Sequence, residues 1–296
     1  GRKDMVKVGD VCPLFFSPIK NEFGLEMDYV QRFHTSDKIH IQVFASASEE
    51  VSVTLNNLVA ETSTPLSLST YNQNDNVLMY YVVLSGLDDA RYTVTINGDT
   101  SEPFEVWSSD TILKETTLIR YSHKSNNSFD GIFWINDTQQ VFEFRVEAGI
   151  KPEGYSSHVI NEQYRNQKQE IEELYAVPYD VYTLTIGSSK GVPYWFSKLI
   201  NRILCLSMVE IKGKMYVRSG SSTPEKIEPN VENSQLFVYN VSLELKYNDI
   251  SGIGGTPEPA SPPLYGAFVI DNATDGQLLQ FKADKSAFTN VTTVEV

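Results

Sequence analysis

Thr183-Leu184-Thr185-Ile186-Gly187 ends an alternating stretch, Gly191-Val192-Pro193-Tyr194-Trp195 starts an apolar one, and Val209-Glu210-Ile211-Lys212-Gly213 with Tyr216-Val217-Arg218 turns the chain back. This reads as strand, loop, helix and hairpin within residues 183–218. Pro193 suits the first turn of a helix, where its missing N–H has no intrahelical partner to lose. Trp195, Phe196, Leu199, Ile200, Ile203 and Leu204 share one broad face, and Ser197, Lys198, Asn201 and Arg202 share the other. The spacing predicts an amphipathic helix over 193–205 packed on a sheet. The loop Gly187-Ser188-Ser189-Lys190-Gly191 precedes a helix start, where free N–H groups attract anions. It lacks the spacing of a phosphate-binding loop, and a structural connection is the better reading.

Working outward, Gln235–Tyr247 is a long strand beyond a polar loop with Pro224 and Pro229. Residues 251–263, rich in Gly and then Pro, have the composition of a linker. Strands are expected at Tyr265–Ile270, Gln277–Lys282 and Phe288–Val296; three short strands are marginal alone, so this segment needs a host surface on the body or on a neighbour.

Upstream, strands are expected at Glu115–Ser122, Phe129–Asn136 and Gln140–Glu147, the last broken by Gly149, Pro152 and Gly154. Residues 159–175 fit two patterns. Ile160, Tyr164, Ile171 and Tyr175 make a thin helical stripe with a Lys168–Glu172 pair, whereas Ile171–Val177 before Pro178 reads as a strand. Length and Tyr/Val content favour the strand.

The first third alternates repeatedly. Ile39, Ile41 and Val43 face one way and Lys38, His40 and Gln42 the other; Val51, Val53 and Leu55 repeat the pattern; Val77–Leu84 is nearly all apolar, as in a strand buried on both faces. Tyr92, Val94 and Ile96 lead to Asn97-Gly98, a strong signal for a tight hairpin because both turn positions need positive φ. With 102–107 as a last strand, a β-sandwich follows. The lead-in 1–36 is extended, and 108–113 is a crossover.

The fold class is thus mainly β: two β-sandwich-like domains, the second carrying one amphipathic helix packed on its sheet, plus a short C-terminal β segment. The divisions are 1–112, 113–250, the linker 251–263, and 264–296.

The chain has 296 residues, enough for two domains. Its 24 basic and 38 acidic residues give a net charge of −14, which disfavours a nucleic-acid groove. No apolar run reaches the ~18 residues of a membrane helix, so membrane insertion is not expected. Cys12 and Cys205 are far apart and read as buried free thiols. The chain begins Gly-Arg-Lys, as a processed or trimmed start does.

Chemical constellations are weak. His34, Asp37 and His40 lack zinc-ligand spacing, and His40 lies on the polar face of its strand, where exposure is expected. Ser122, His123 and Asp130 offer triad residue types without a nucleophile elbow. Glu143, Glu147, Glu170, Glu172 and Glu173 could supply a glycosidase pair, but solvated strand faces account for them as well. No motif calls for a cofactor. Trp107, Trp134 and Trp195 are candidate sugar platforms; Trp195 belongs to the apolar helix face, which leaves Trp134 as the best placed.

Several segments resemble a family of proteins encoded by prophages and phages of Bacteroidetes, found among tail or virion structural genes. They include Val30-Gln31-Arg32-Phe33-His34-Thr35-Ser36-Asp37-Lys38-Ile39-His40-Ile41-Gln42-Val43, Thr117-Leu118-Ile119-Arg120-Tyr121-Ser122-His123 with Phe129-Asp130, and Phe144-Arg145-Val146-Glu147-Ala148-Gly149. Pro178-Tyr179-Asp180-Val181, Leu184–Gly187, Gly191–Trp195, Leu199–Ile203, Val209–Gly213 and Tyr216–Arg218 continue the series. The resemblance covers about residues 12–247 and carries no catalytic motif.

It implies a non-enzymatic tail or baseplate subunit, in the virion or in the host cytoplasm before assembly, whose partners are itself as a homo-oligomer and other phage-like structural proteins. Trp134, Tyr216 and Arg218 are the candidate ligand or interface residues. The alternative is a cell-surface carbohydrate-binding or adhesion protein, for which a glycan is the expected ligand. A glycosidase is a third reading.

Overall fold

The computed structural model describes residues 6–20, 23–27, 29–74, 76–125, 134–135, 138–187, 191–227, 236–247, 278–282 and 287–291. The chain divides into two compact units, Gly1–Gly255 and Thr256–Val296.

The first unit begins with β1 (Lys7–Val8), β2 (Gln31–His34), β3 (Ile39–Ser46), β4 (Val53–Asn57), β5 (Thr62–Pro65), β6 (Ser69–Asn74), β7 (Val77–Leu84), β8 (Ala90–Ile96), β9 (Asp99–Thr100) and β10 (Phe104–Trp107). They form two sheets, ordered β1-β3-β7-β6 and β2-β10-β8-β4-β5, with β9 paired to β8. Ile39, Ile41 and Val43 from the first sheet share a core with Val53, Tyr92, Val94, Ile96, Phe104 and Val106 from the second. This is the expected sandwich. The β8–β9 turn is the expected tight one, with Asn97 at φ 46° and Gly98 at φ 92°. Val77–Leu84 departs from its reading: Met79 and Leu84 are buried, but Val83 is exposed.

Next come α1 (Asp110–Glu115), β11 (Thr117–Ser122), β12 (Trp134–Ile135), β13 (Thr138–Gln139), β14 (Phe142–Val146), β15 (Ala148–Arg165), β16 (Ile171–Ile186), α2 (Trp195–Ile203), β17 (Met208–Ile211), β18 (Lys214–Arg218), β19 (Glu225–Ile227) and β20 (Val238–Leu245). The crossover expected at 108–113 is α1, a short helix whose N-cap Ser109 accepts from the Thr111 N–H at 3.2 Å.

One sheet runs β14-β11-β17-β18-β20-β16-β15, with β19 on β20, and β12 pairs with β13 apart from it. The end strands β14 and β15 are consecutive in the chain, separated by Glu147 alone. The sheet therefore curls until its ends meet, and α2 fills the concave side. Phe196 and Ile200 are fully buried. Phe196 contacts the rings of Phe15, Tyr29 and Phe144, with centroids 5.3–5.8 Å away. The helix packed on a sheet is as expected, and the helix with the lead-in supplies the layer facing that sheet.

Two glycines set the entry to α2. A Cβ on Gly187 (φ +114°) would lie 2.6 Å from the Phe237 carbonyl oxygen, and one on Gly191 (φ +82°) 2.8 Å from the Leu236 carbonyl carbon. Backbone approaches this close let Val192 and Phe237 exchange two hydrogen bonds of 2.9 Å.

The sandwich and the helix-bearing sheet are joined by the lead-in and by polar ties. Val11, Phe15, Ile19 and Met27 enter the core around α2, whereas Cys12 and Leu14 enter the sandwich core. Cys205, expected to be buried, is exposed. The face of β3 expected to be solvated points at β14. There His40 is half-buried, its ring 5.0 Å from that of Phe142. Burial, then the Lys38 charge, lowers its pKa from 6.5 to about 4. At His40 and Gln42 a second protein surface, not water, covers this row, while Lys38 stays exposed.

In the second unit β21 (Leu278–Lys282) and β22 (Ala287–Val291) form an antiparallel hairpin. They overlap two of the three strands expected after the linker. The expected linker 251–263 and strand Tyr265–Ile270 lie outside the described residues.

Candidate interaction surface

β15 and β16 are long strands whose pairing extends from Ala148↔Ile186 to Arg165↔Ile171. Only Val181–Ile186 of β16 also pairs with β20. From Ser157 and Asp180 outward the hairpin is thus a two-stranded arm, about 30 Å long at ~3.3 Å per residue. The segment 159–175 is two strands around a turn, not a helix, with β15 ending at Arg165 and β16 starting at Ile171. The break expected at Gly149, Pro152 and Gly154 is instead a register shift between Pro152 and Ser157, through which β15 continues. β15 is the last strand of its sheet, and an end strand tolerates a residue without an N–H.

The arm tip is built by Asn166. Its side-chain oxygen accepts from the N–H groups of Lys168 (2.9 Å) and Glu170 (3.0 Å), and its amide donates to the Glu170 carboxylate at 2.7 Å. Gln169 takes φ +69° to close the turn. Such Asx geometry fixes a turn without help from tertiary contacts.

Directly paired residues share a face of the arm. His158 and Tyr179, Ile160 and Val177, Glu162 and Tyr175, and Tyr164 and Glu172 alternate with Val159 and Pro178, Asn161 and Ala176, and Gln163 and Glu173. A bulge between Glu162 and Gln163 sets Leu174 beside Tyr175. The first face is therefore an aromatic and aliphatic row flanked by carboxylates. The second is mostly polar, tied by Asn161 and Gln163 amides donating to Glu173 at 2.9 and 2.8 Å. Those two bonds lower the pKa of Glu173. Val159, Ile160, Tyr164, Ile171, Leu174 and Tyr175 are each about half exposed, and Val177 slightly less.

Tyr216, an expected interface residue, is 4% exposed and edge-on to Tyr182 at 5.6 Å. Burial, then the neighbouring Tyr182, pushes its pKa up to about 12. It belongs to the core. Arg218 holds the end of α2: it donates to the Asn201 side chain (2.7 Å), the Asn201 carbonyl (2.9 Å) and the Ser222 carbonyl (2.5 Å). Its guanidinium satisfies the Asn201 carbonyl at the helix end and ties the Ser222 loop to it, a structural task. Trp134 lies in β12, and its side chain is outside the described residues.

The weaker constellations are committed to structure. Ser122 donates to the Gln140 carbonyl at 2.6 Å, His123 Nδ1 accepts from the Ser207 N–H at 3.1 Å, and Asp130 lies outside the described residues. Both Asp37 oxygens accept from Arg145. An open cleft of about 860 Å³ is lined by Tyr29, Arg32, Lys114, Glu115, Glu147 and Lys151, among others. Its Glu147 accepts from Tyr29 at 2.7 Å and from Arg32 at 3.0 Å, and Arg32 also bonds Glu115 at 2.6 Å. Burial, then the Glu147 charge, holds the Tyr29 pKa well above its ordinary value. These groups brace one another.

No family model and no curated protein matches the chain. Among solved structures, the crystal structure of DIP-gamma IG1+IG2 is 9% identical, covering 53% of this chain and 84% of that one, at a TM-score of 0.17. Dpr2 Ig1-Ig2 in complex with DIP-Theta Ig1-Ig3 is 9% identical, covering 85% of this chain and 92% of that one, at a TM-score of 0.18. Superpositions this poor bear on neither partner nor chemistry.

Proposed function

We propose that the protein is a non-enzymatic structural subunit that assembles through protein contacts, of the phage tail or baseplate type, with the β15–β16 arm as its contact element. The observation that carries this reading is the arm itself. A two-stranded hairpin is marginal in water, yet this one stands clear of the body with seven large apolar side chains exposed along it. Its outer edges are not paired to other strands among the described residues, and such edges recruit further chains. The resemblance of residues 12–247 to prophage structural proteins supplies the tail or baseplate assignment, and with it virion localisation.

The test is composition of particles. Density-gradient fractions from producing cells should contain the full chain in fixed ratio to the other virion proteins. A folded Ile160→Lys/Val177→Lys variant should be missing from those fractions. Recovery of the chain only as free protein, or incorporation of the variant at normal levels, would contradict the reading.

A further inference from the structure

We propose that the cleft between the sandwich and the end of the curled sheet takes an extended acidic segment of a partner protein, which adds as a strand to the free edge of β15 at Ile150. Four consecutive residues, Ala148 to Lys151, line that cleft. Side chains of a strand alternate between faces, so a run of four exposes the backbone edge itself. The Gly187 N–H donates to the Glu147 carbonyl at 2.6 Å, which makes these two a hydrogen-bonded pair and fixes the alternation along β15. Ala148, Ile150 and Pro152 therefore direct their backbone polar groups away from β16. The Ala148 carbonyl accepts from the Thr117 hydroxyl at 2.6 Å. Among the described residues β15 pairs with β16 alone, so the Ile150 N–H and C=O and the Pro152 carbonyl remain for a further strand. A Cβ on Gly149 would meet nothing within 4 Å, which leaves the approach clear.

Charge names the segment. The cleft's three carboxylates are already engaged, Glu147 and Glu115 with Arg32 at 3.0 and 2.6 Å, and Glu105 with Arg91 at 3.3 Å. These two guanidiniums cancel two of the three negative charges. Lys114, Lys151 and Lys212 reach the cleft from α1, β15 and the β17–β18 turn; they are exposed and make no ion pair among the described residues. They outweigh the remaining carboxylate, so a chain with a net charge of −14 presents a positive cleft. Its volume of about 860 Å³ holds a short segment, to which main-chain pairing gives affinity while the lysines select acidic side chains. A uronate glycan shares the charge but has no row of alternating N–H and C=O groups to match the Ile150 edge. The site is separate from the arm's apolar face.

The experiment titrates the full chain into a fluorescein-labelled peptide of alternating Glu and Val and reads anisotropy. The peptide should bind saturably, its counterpart with Lys for Glu should not, and added salt should weaken binding. Lys114→Glu/Lys151→Glu, with an unchanged circular dichroism spectrum, should lose affinity by about tenfold or more. Of two counterparts N-methylated at alternate residues, one for each edge of the peptide strand, only one should still bind. Equal binding by both, or affinity untouched by the lysine changes, overturns strand addition at this cleft. So does failure of the Glu peptide to bind, or an oligogalacturonate that binds more tightly than the peptide. Ile160→Lys/Val177→Lys should bind the peptide as the unaltered chain does, so the cleft and the arm are tested separately.

Discussion

Arg145 on β14 donates through Nε and one terminal nitrogen to the two oxygens of Asp37, at 2.6 and 2.7 Å, with both side chains almost wholly buried. Asp37 lies in the turn between two sandwich strands, so this fork ties the sandwich to the curled sheet. The third arm of the guanidinium donates to Thr116 at 3.0 Å, which leaves the cation well satisfied. Removing one partner from such a pair strands a buried charge and costs about 3–5 kcal/mol. Arg145→Met should lower unfolding free energy by that amount in urea titration. Asp37→Leu/Arg145→Met should cost less than the single change, because no charge is then left behind.

His40 gives the protein an acid-sensitive contact. Its folded pKa of about 4 lies below the ordinary 6.5, so the fold favours the neutral ring. As pH falls, the unfolded chain takes up the proton first. Stability is therefore complete above about pH 6.5 and is lost as pH falls toward 4, by at most about 3 kcal/mol at ~1.4 kcal/mol per unit. His40→Phe should flatten this part of the pH–stability curve measured by denaturant midpoints.

Gly187 and Gly191 admit no side chain. Alanine at either position combines a left-handed backbone with a Cβ inside contact distance of the Leu236–Phe237 backbone. Each substitution should destabilise by more than the ~1 kcal/mol of an ordinary glycine replacement, read as a fall in thermal midpoint.

Phe196 packs against the rings of Phe15, Tyr29, Phe144 and Trp195 at the centre of the curled sheet. Phe196→Ala should cost about 3–5 kcal/mol by loss of burial and creation of a cavity. Arg218→Ala should cost about 1–2 kcal/mol through lost helix-end hydrogen bonds, and denaturant unfolding of each variant checks both values.

The elements that sequence reveals are those whose signal is local. α2 was legible because its apolar positions repeat at the helical period, and the β8–β9 hairpin because Asn97-Gly98 specifies its own turn. α1, only six residues long, carries too little periodicity to register. His40 reads as exposed when its strand is considered alone; only the packing of β14 on β3 buries it. Asp37 and Arg145 are 108 positions apart, and nothing in either segment announces the other. The arm was half legible: its strands show in the Tyr and Val content of 171–177, but Gly149, Pro152 and Gly154 mask the continuity of β15. Tyr216 looks like a surface aromatic until the curl of the sheet closes over it.

Hydrogen–deuterium exchange of the chain free in solution and assembled in purified particles tests the assembly role of the arm most directly. The account predicts protection of amides in 157–165 and 171–180 in the particles that the free chain lacks, with the cores unchanged. Arm amides that exchange equally fast in both states, or protection gained at another surface instead, would contradict it.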